Sequence, residues 1–331
     1  MRRRTASAFL AFVLLAAGCG GEQEPTGPEP LGAAEPGTSP ELTATPAGRV
    51  EPLDRQPEGM VYDTQTGLLA VAVREPNRLL LVDGASGEVR TEVPLPGHAR
   101  HLQLAGPGGP VLVPAEDSDV FVAVELPGGD VRETSVGEYP HDAAQTESGR
   151  ILVADERGGT LSVLDGGEVV ATFDDVTQPG GVATVGDVAA VVDVGAFTLS
   201  AYDVVAEQQL GVLPAGAGPT HLIADVRGNV VVADTRGDAL LVVGLEPLAQ
   251  LARYPLPGTP YGVAYDTAAD VLWVTLTARN EVVGIDLSGA QPAEVARFPT
   301  VRQPNTVAVD PVGGRLWIAS RTTGELQTID P

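Results

Sequence analysis

The 331-residue chain holds only four histidines, and three of them stand one or two places after a recurring anchor residue. The anchors are Pro57, Ala99, Pro140, Pro179, Pro219, Pro260 and Pro304, spaced by 42, 41, 39, 40, 41 and 44 residues. One place after them come Glu58, Arg100, His141, Gly180, Thr220, Tyr261 and Asn305; two places after come Gly59, His101, Asp142, Gly181, His221, Gly262 and Thr306. Imidazoles and a carboxylate converging in this way are the donors that zinc and other divalent metals take. His101, His141 and His221 are therefore candidate metal ligands, with His98 as a substitute and Asp142 or Asp155 as a ligand or an orienting partner. The same histidines have an architectural use, since each could cap a strand and bond a carboxylate of the adjacent repeat.

A second column, Asp155, Asp193 and Asp234, follows the apolar segment of three repeats. Such residues either face a ligand or bond the backbone of their own turn. Arg74, Arg100, Arg236 and Arg321 could hold an anionic group on the same side. Together with Glu58, Tyr261 and Asn305, these positions form the candidate ligand-binding face. Catalytic signatures are sparse: the chain has no Gly-x-Ser-x-Gly elbow and no His-Glu-x-x-His motif. Hydrolysis of a lactone would ask His141 and Arg100 to activate water and polarise an ester. A non-catalytic binding or scaffold protein comes first, a zinc-binding protein or metallochaperone second, and a lactonase-like hydrolase third.

The elements that must position these residues follow from the repeat itself. After each anchor comes a short strand, as in 59–62, 102–104, 262–265 and 306–309. A turn then leads to an apolar strand such as 68–73, 151–154, 230–233 or 316–319. A polar loop and a third strand follow, the latter at 79–83, 161–165, 282–286 and 326–330. Asp83-Gly84 and Asp165-Gly166 predict hairpins into a fourth strand, 88–93 or 169–173. Four antiparallel strands about every 41 residues predict an all-β, seven-bladed β-propeller. From Pro304 to the end there is room for only three strands. Residues 48–53 match the fourth-strand pattern of 87–92, so an N-terminal strand is expected to complete the C-terminal blade and close the ring.

Two stretches carry a family resemblance. One is Pro304-Asn305-Thr306-Val307-Ala308-Val309-Asp310-Pro311 with Leu316-Trp317-Ile318-Ala319; the other is Gly262-Val263-Ala264-Tyr265-Asp266 with Leu272-Trp273-Val274-Thr275 and Gly284-Ile285-Asp286. They resemble the repeat of YVTN or YncE-like propellers. The resemblance covers the whole ring and is weakest in the second and fourth repeats. It implies the propeller fold, and a family that includes surface-layer and binding proteins, with lactonases among related rings.

The N-terminus reads as an address. Arg2, Arg3 and Arg4 precede ten apolar residues, too few to span a bilayer, and Leu15-Ala16-Ala17-Gly18-Cys19 resembles a bacterial lipobox. That implies a signal peptide over 1–18 and lipidation at Cys19, the chain's single cysteine. Residues 19–47, rich in Pro, Gly and Glu, are expected to be a disordered tether, and 48–331 the propeller. The protein is then extracytoplasmic, periplasmic or on the cell surface, touching the membrane through its lipid alone. Forty-four acidic against 20 basic side chains, a formal charge of −24, exclude nucleic acid as a default partner. The expected partner is a protein, a peptide or a small ligand, and the expected state is a monomer.

Overall fold

The computed structural model describes residues 32–289 and 291–331. The expected signal peptide, the expected lipidation site Cys19 and the expected tether up to residue 31 lie outside the described residues. The strands form seven four-stranded antiparallel sheets, each built from strands consecutive in sequence except the last. Blade 1, for example, consists of Gly59–Asp63, Leu68–Val73, Arg78–Asp83 and Val89–Pro94. Blades 2 to 6 begin at Gln103, Pro140, Pro179, Pro219 and Pro260, and blade 7 at Pro304.

Burial explains the residue pattern across each blade. The second strand has neighbouring blades on both faces, so Leu68–Val73 is buried at every position and reads as an unbroken apolar run. The outermost strand has one wet face, and Gln208–Pro214 alternates accordingly. Apolar side chains of adjacent blades interleave: Leu79 and Leu81 of blade 1 share one cluster with Val111, Val113 and Val122 of blade 2. The Asp165 turn is the expected two-residue hairpin, with Gly166 and Gly167 both at positive φ and Asp165 paired to Glu168. The Asp83 turn is wider. There the carboxylate accepts the Ala85 and Ser86 amides and the strand resumes after Gly87.

The ring closes as the repeat arithmetic requires. Arg49–Pro52 pairs antiparallel with the last strand, Glu325–Ile329, with Val50 opposite Gln327. Gly48 makes this approach possible. Its φ is +68°, and a Cβ there would lie 2.1 Å from the Thr328 carbonyl oxygen. Gln327, fully buried, locks the seam: its Nε2 donates to the carbonyls of Ala47 and Pro299, and its Oε1 accepts the Val301 amide.

The tether expectation fails for residues 32–47. This stretch is part of the compact unit and crosses the loops of blades 5, 6 and 7. The Gly37 amide donates to Thr277 Oγ1, Ser39 Oγ donates to the Thr277 carbonyl, and Gln303 Nε2 donates to the Gly37 carbonyl. Arg236 donates to the Gly32 carbonyl and Asn280 to that of Pro40. Composition hid this because a Pro-rich strap needs no apolar core of its own. Proline lowers the entropy of ordering, and loop side chains satisfy the strap's backbone.

Candidate functional site

Each innermost strand starts at the face that the strap crosses, so the residues just after the anchors surround the channel there. His98 and Arg100 come from the loop into blade 2, His141 from the first residues of blade 3, His221 from blade 5 and Tyr261 from blade 6. The channel is narrow at this level. His101 lies between His141 and His221, its ring centroid 4.5 Å from the first and 4.4 Å from the second, so rings from blades 2 and 5, three positions apart around the ring, meet across the axis.

Hydrogen bonding assigns the tautomers. His221 Nδ1 is 2.7 Å from the Tyr261 carbonyl oxygen, so this nitrogen carries the hydrogen and Nε2 is left as an acceptor. His101 Nε2, 3.1 Å away, is then the donor to it. Burial keeps both rings neutral: it depresses His221 to about 4, and it pushes His101 well below the usual histidine range, aided by the neighbouring imidazoles.

His141 has the opposite fate. Burial disfavours its charge, but the carboxylates of Glu116, 2.8 Å from Nδ1, and Glu156, 3.3 Å away, outweigh that and raise its pKa. Glu116 is the hub of this side. Fully buried in the short helical turn Glu116–Ser118, it pairs with His98 Nε2, His141 Nδ1 and Arg100 Nε. Burial opposes its charge as well, yet these cationic and donor groups hold it far below the ordinary carboxylate range. Glu58 forms a second knot, paired with Arg74 and Arg321.

Beneath this polar layer lies a central cavity of 580 Å³. Its walls are first-strand side chains such as Met60, Leu102, Leu222, Val263 and Val307, and its polar end is Glu58, Arg100, His101, His221, Tyr261 and Asn305. The far end reaches Thr64, Pro107 and Thr267, exposed residues of the turns after the first strands. The strap crosses one face of the ring and the cavity opens toward the other.

Several expected site residues have other work. Asp155, Asp193 and Asp234 are buried and do not line the cavity. Asp193 accepts the Thr177, Gln178, Gly195 and Ala196 amides, and Asp234 those of Ala217, Gly218 and Gly237. Asp155 accepts the Thr160 and Ser162 hydroxyls, and burial raises its carboxyl to about 6. These carboxylates fasten loops. Asp142 lines the cavity but bolts three blades together, accepting Gln103 Nε2 and the Val182 amide; burial raises it to about 6. His141 is turned into the Glu116 and Glu156 carboxylates. Among the described residues no group of three or more His, Cys, Asp or Glu side chains is placed to hold a metal ion. Glu116 and Glu156 flank the Asp column one place further on, a signal the sequence offers, but Glu116 was not among the expected site residues, because its pairing with His98, His141 and Arg100 crosses between blades 2 and 3.

No protein-family model matches the sequence, and no curated protein matches it. Solved structures do match, and they define the class as the seven-bladed β-propeller. A chain of Kuenenia stuttgartiensis hydrazine synthase is similar with a TM-score of 0.72 and 16% identity, over 89% of this chain and 99% of that one. Virginiamycin B lyase from Staphylococcus aureus gives 0.72 and 14%, over 85% and 97%. A chain of the mitotic checkpoint complex gives 0.73 and 12%, over 98% and 99%. A synthase, a lyase and a component of a protein assembly share this scaffold. At such identities the likeness is one of fold alone, and function must be argued from the site.

Proposed function

We propose that the protein is an extracytoplasmic binding propeller, tethered to a membrane by lipid on Cys19, that takes a small organic molecule in its central cavity without transforming it. One observation carries this reading: a 580 Å³ central space with mainly apolar walls and a few convergent polar groups. That is the general form of a small-molecule site, and its volume falls in the range such sites occupy. The YVTN or YncE-like resemblance, with its binding and surface-layer members, supports it, as does the lack of a nucleophile signature in the sequence. The test is a calorimetric panel of small organic molecules against the chain and an Ala224→Trp variant, which fills the cavity wall. Binders should appear and should be lost in the variant. Absence of binders, or binding that the tryptophan leaves unchanged, overturns the reading.

A second reading rests on the 3.1 Å approach of His101 and His221, which could offer two nitrogens to zinc, with a guest supplying the remaining ligands. Elemental analysis after zinc exposure and dialysis separates the two. The binding reading predicts no retained zinc; one zinc per chain, absent from a His101→Ala, His221→Ala double variant, favours the metal.

A further inference from the structure

At the polar end of the cavity Arg100 has donors to spare. Glu58 is taken by Arg74 and Arg321, and Glu116 by His98 and His141, so Arg100 reaches Glu116 only through Nε at 3.3 Å. That contact is an ion pair without hydrogen-bond alignment: buried Arg100 Nε, like Arg74 Nε and both Glu116 oxygens, has no hydrogen-bond partner. Among the described residues neither terminal nitrogen of Arg100 has a partner, although its side chain is 30% exposed and lines the cavity. Buried donors left unpaired are costly, and a guest that brings acceptors recovers that cost.

The chain carries −24, and Arg100 is the one arginine among the described residues lining the cavity. The lining carboxylates are engaged: Glu58 by Arg74 and Arg321, Asp63 by the Thr66 and Gly108 amides, and Asp142 by Gln103 and the Val182 and Ala143 amides; nearby Glu156 is engaged by Gln178 and His141. Of the other groups at this level, Tyr261 and Asn305 can also donate, and His101 and His221 are neutral. Beyond them the walls are mainly apolar, interrupted by Gln103 and Asp142 and, toward the turn face, by Asp63 and Thr64.

We propose that the guest is an organic acid: a single carboxylate bound by the Arg100 guanidinium at the polar end, and an apolar body lying between Met60, Leu102, Leu222 and Val263. A carboxylate matches the planar fork of arginine, which a neutral amide or alcohol does not. Access is from the turn face near Thr64 and Pro107, because the strap crosses the opposite face. This inference rests on the cavity being a binding site at all, and the experiment is chosen so that the two can fail separately.

The probes are 4-phenylbutyrate and 4-phenylbutanamide, equal in shape and different in charge, titrated calorimetrically into the full chain at low and high salt. The acid should bind at least about tenfold more tightly than the amide. Its affinity should fall as salt rises, and the preference should disappear in Arg100→Gln and shrink in Arg100→Lys. Should Arg100→Gln fail to fold, the acid-to-amide ratio and its salt dependence in the parent chain decide the matter alone. Equal binding of both probes overturns the carboxylate assignment and leaves the cavity reading standing. Binding of neither overturns the assignment too, while the cavity reading stands or falls on the wider panel and the Ala224→Trp variant.

Discussion

Glu116 shows how one residue sets the electrostatics of the site. Its carboxylate is fully buried and neutralises whatever positive charge His98, His141 and Arg100 carry. Glu116→Gln keeps the shape and removes the charge, stranding Arg100 and His141 in the interior. The expected loss is about 3 kcal/mol of stability, as for other buried ion pairs broken on one side, and a denaturant melt measures it. His221 makes a prediction of opposite character. Its folded pKa is depressed to about 4, against an ordinary 6.5. Between those values the unfolded chain binds the proton and the folded chain does not, so stability falls as pH drops through that window. At pH 5 this amounts to about 2 kcal/mol. His101, Asp142 and Asp155 are also shifted on folding, so the reading is a difference: between pH 7 and pH 5 the parent should lose about 2 kcal/mol more stability than His221→Asn in urea melts. An equal pH dependence in the two would place the titration elsewhere.

At the scale of elements, the seam and the strap make separate predictions. Removing residues 1–52 deletes the strand opposite Glu325–Ile329 and opens blade 7, so the melting temperature should fall markedly in a thermal scan. Deleting only residues 32–40 removes the strap's bonds to Thr277, Asn280 and Gln303 but leaves the seam intact. A few degrees of destabilisation are expected, with the propeller still closed. The strands themselves were readable in the sequence because each follows a turn residue and carries a run of apolar positions, down to the pairing of Val50 beside the last strand. The strap was not, because its order comes from hydrogen bonds to loops more than 200 residues away, which composition does not encode. The Asp155, Asp193 and Asp234 column was visible as a repeat, but only the structure shows the carboxylates turned onto backbone amides and hydroxyls. Equivalent positions in a repeat mark shared architecture as readily as a shared site.

Across the whole molecule, the convergence of His101, His141 and His221 was legible from two columns of the repeat, since every innermost strand begins at one face. Their division of labour was not. It depends on which ring meets Glu116 and which meets a carbonyl, and those contacts cross between blades. A ligand site at the central channel was expected from the propeller itself, but the size of the cavity and its opening away from the anchor face were not legible, as the space left when seven first strands surround an axis has no local signature. On the proposed reading, a net-acidic chain with Arg100 at the polar end of its cavity would slow anions in general and admit those that match that end, a form of selectivity. The account stands or falls on occupancy of that cavity. Native mass spectrometry of the chain purified under mild conditions from its native host, beside Ala224→Trp, addresses it most directly. The predicted result is a small organic adduct, one per chain, lost in the tryptophan variant. No adduct on the parent, or one that the variant keeps, would contradict the central claim.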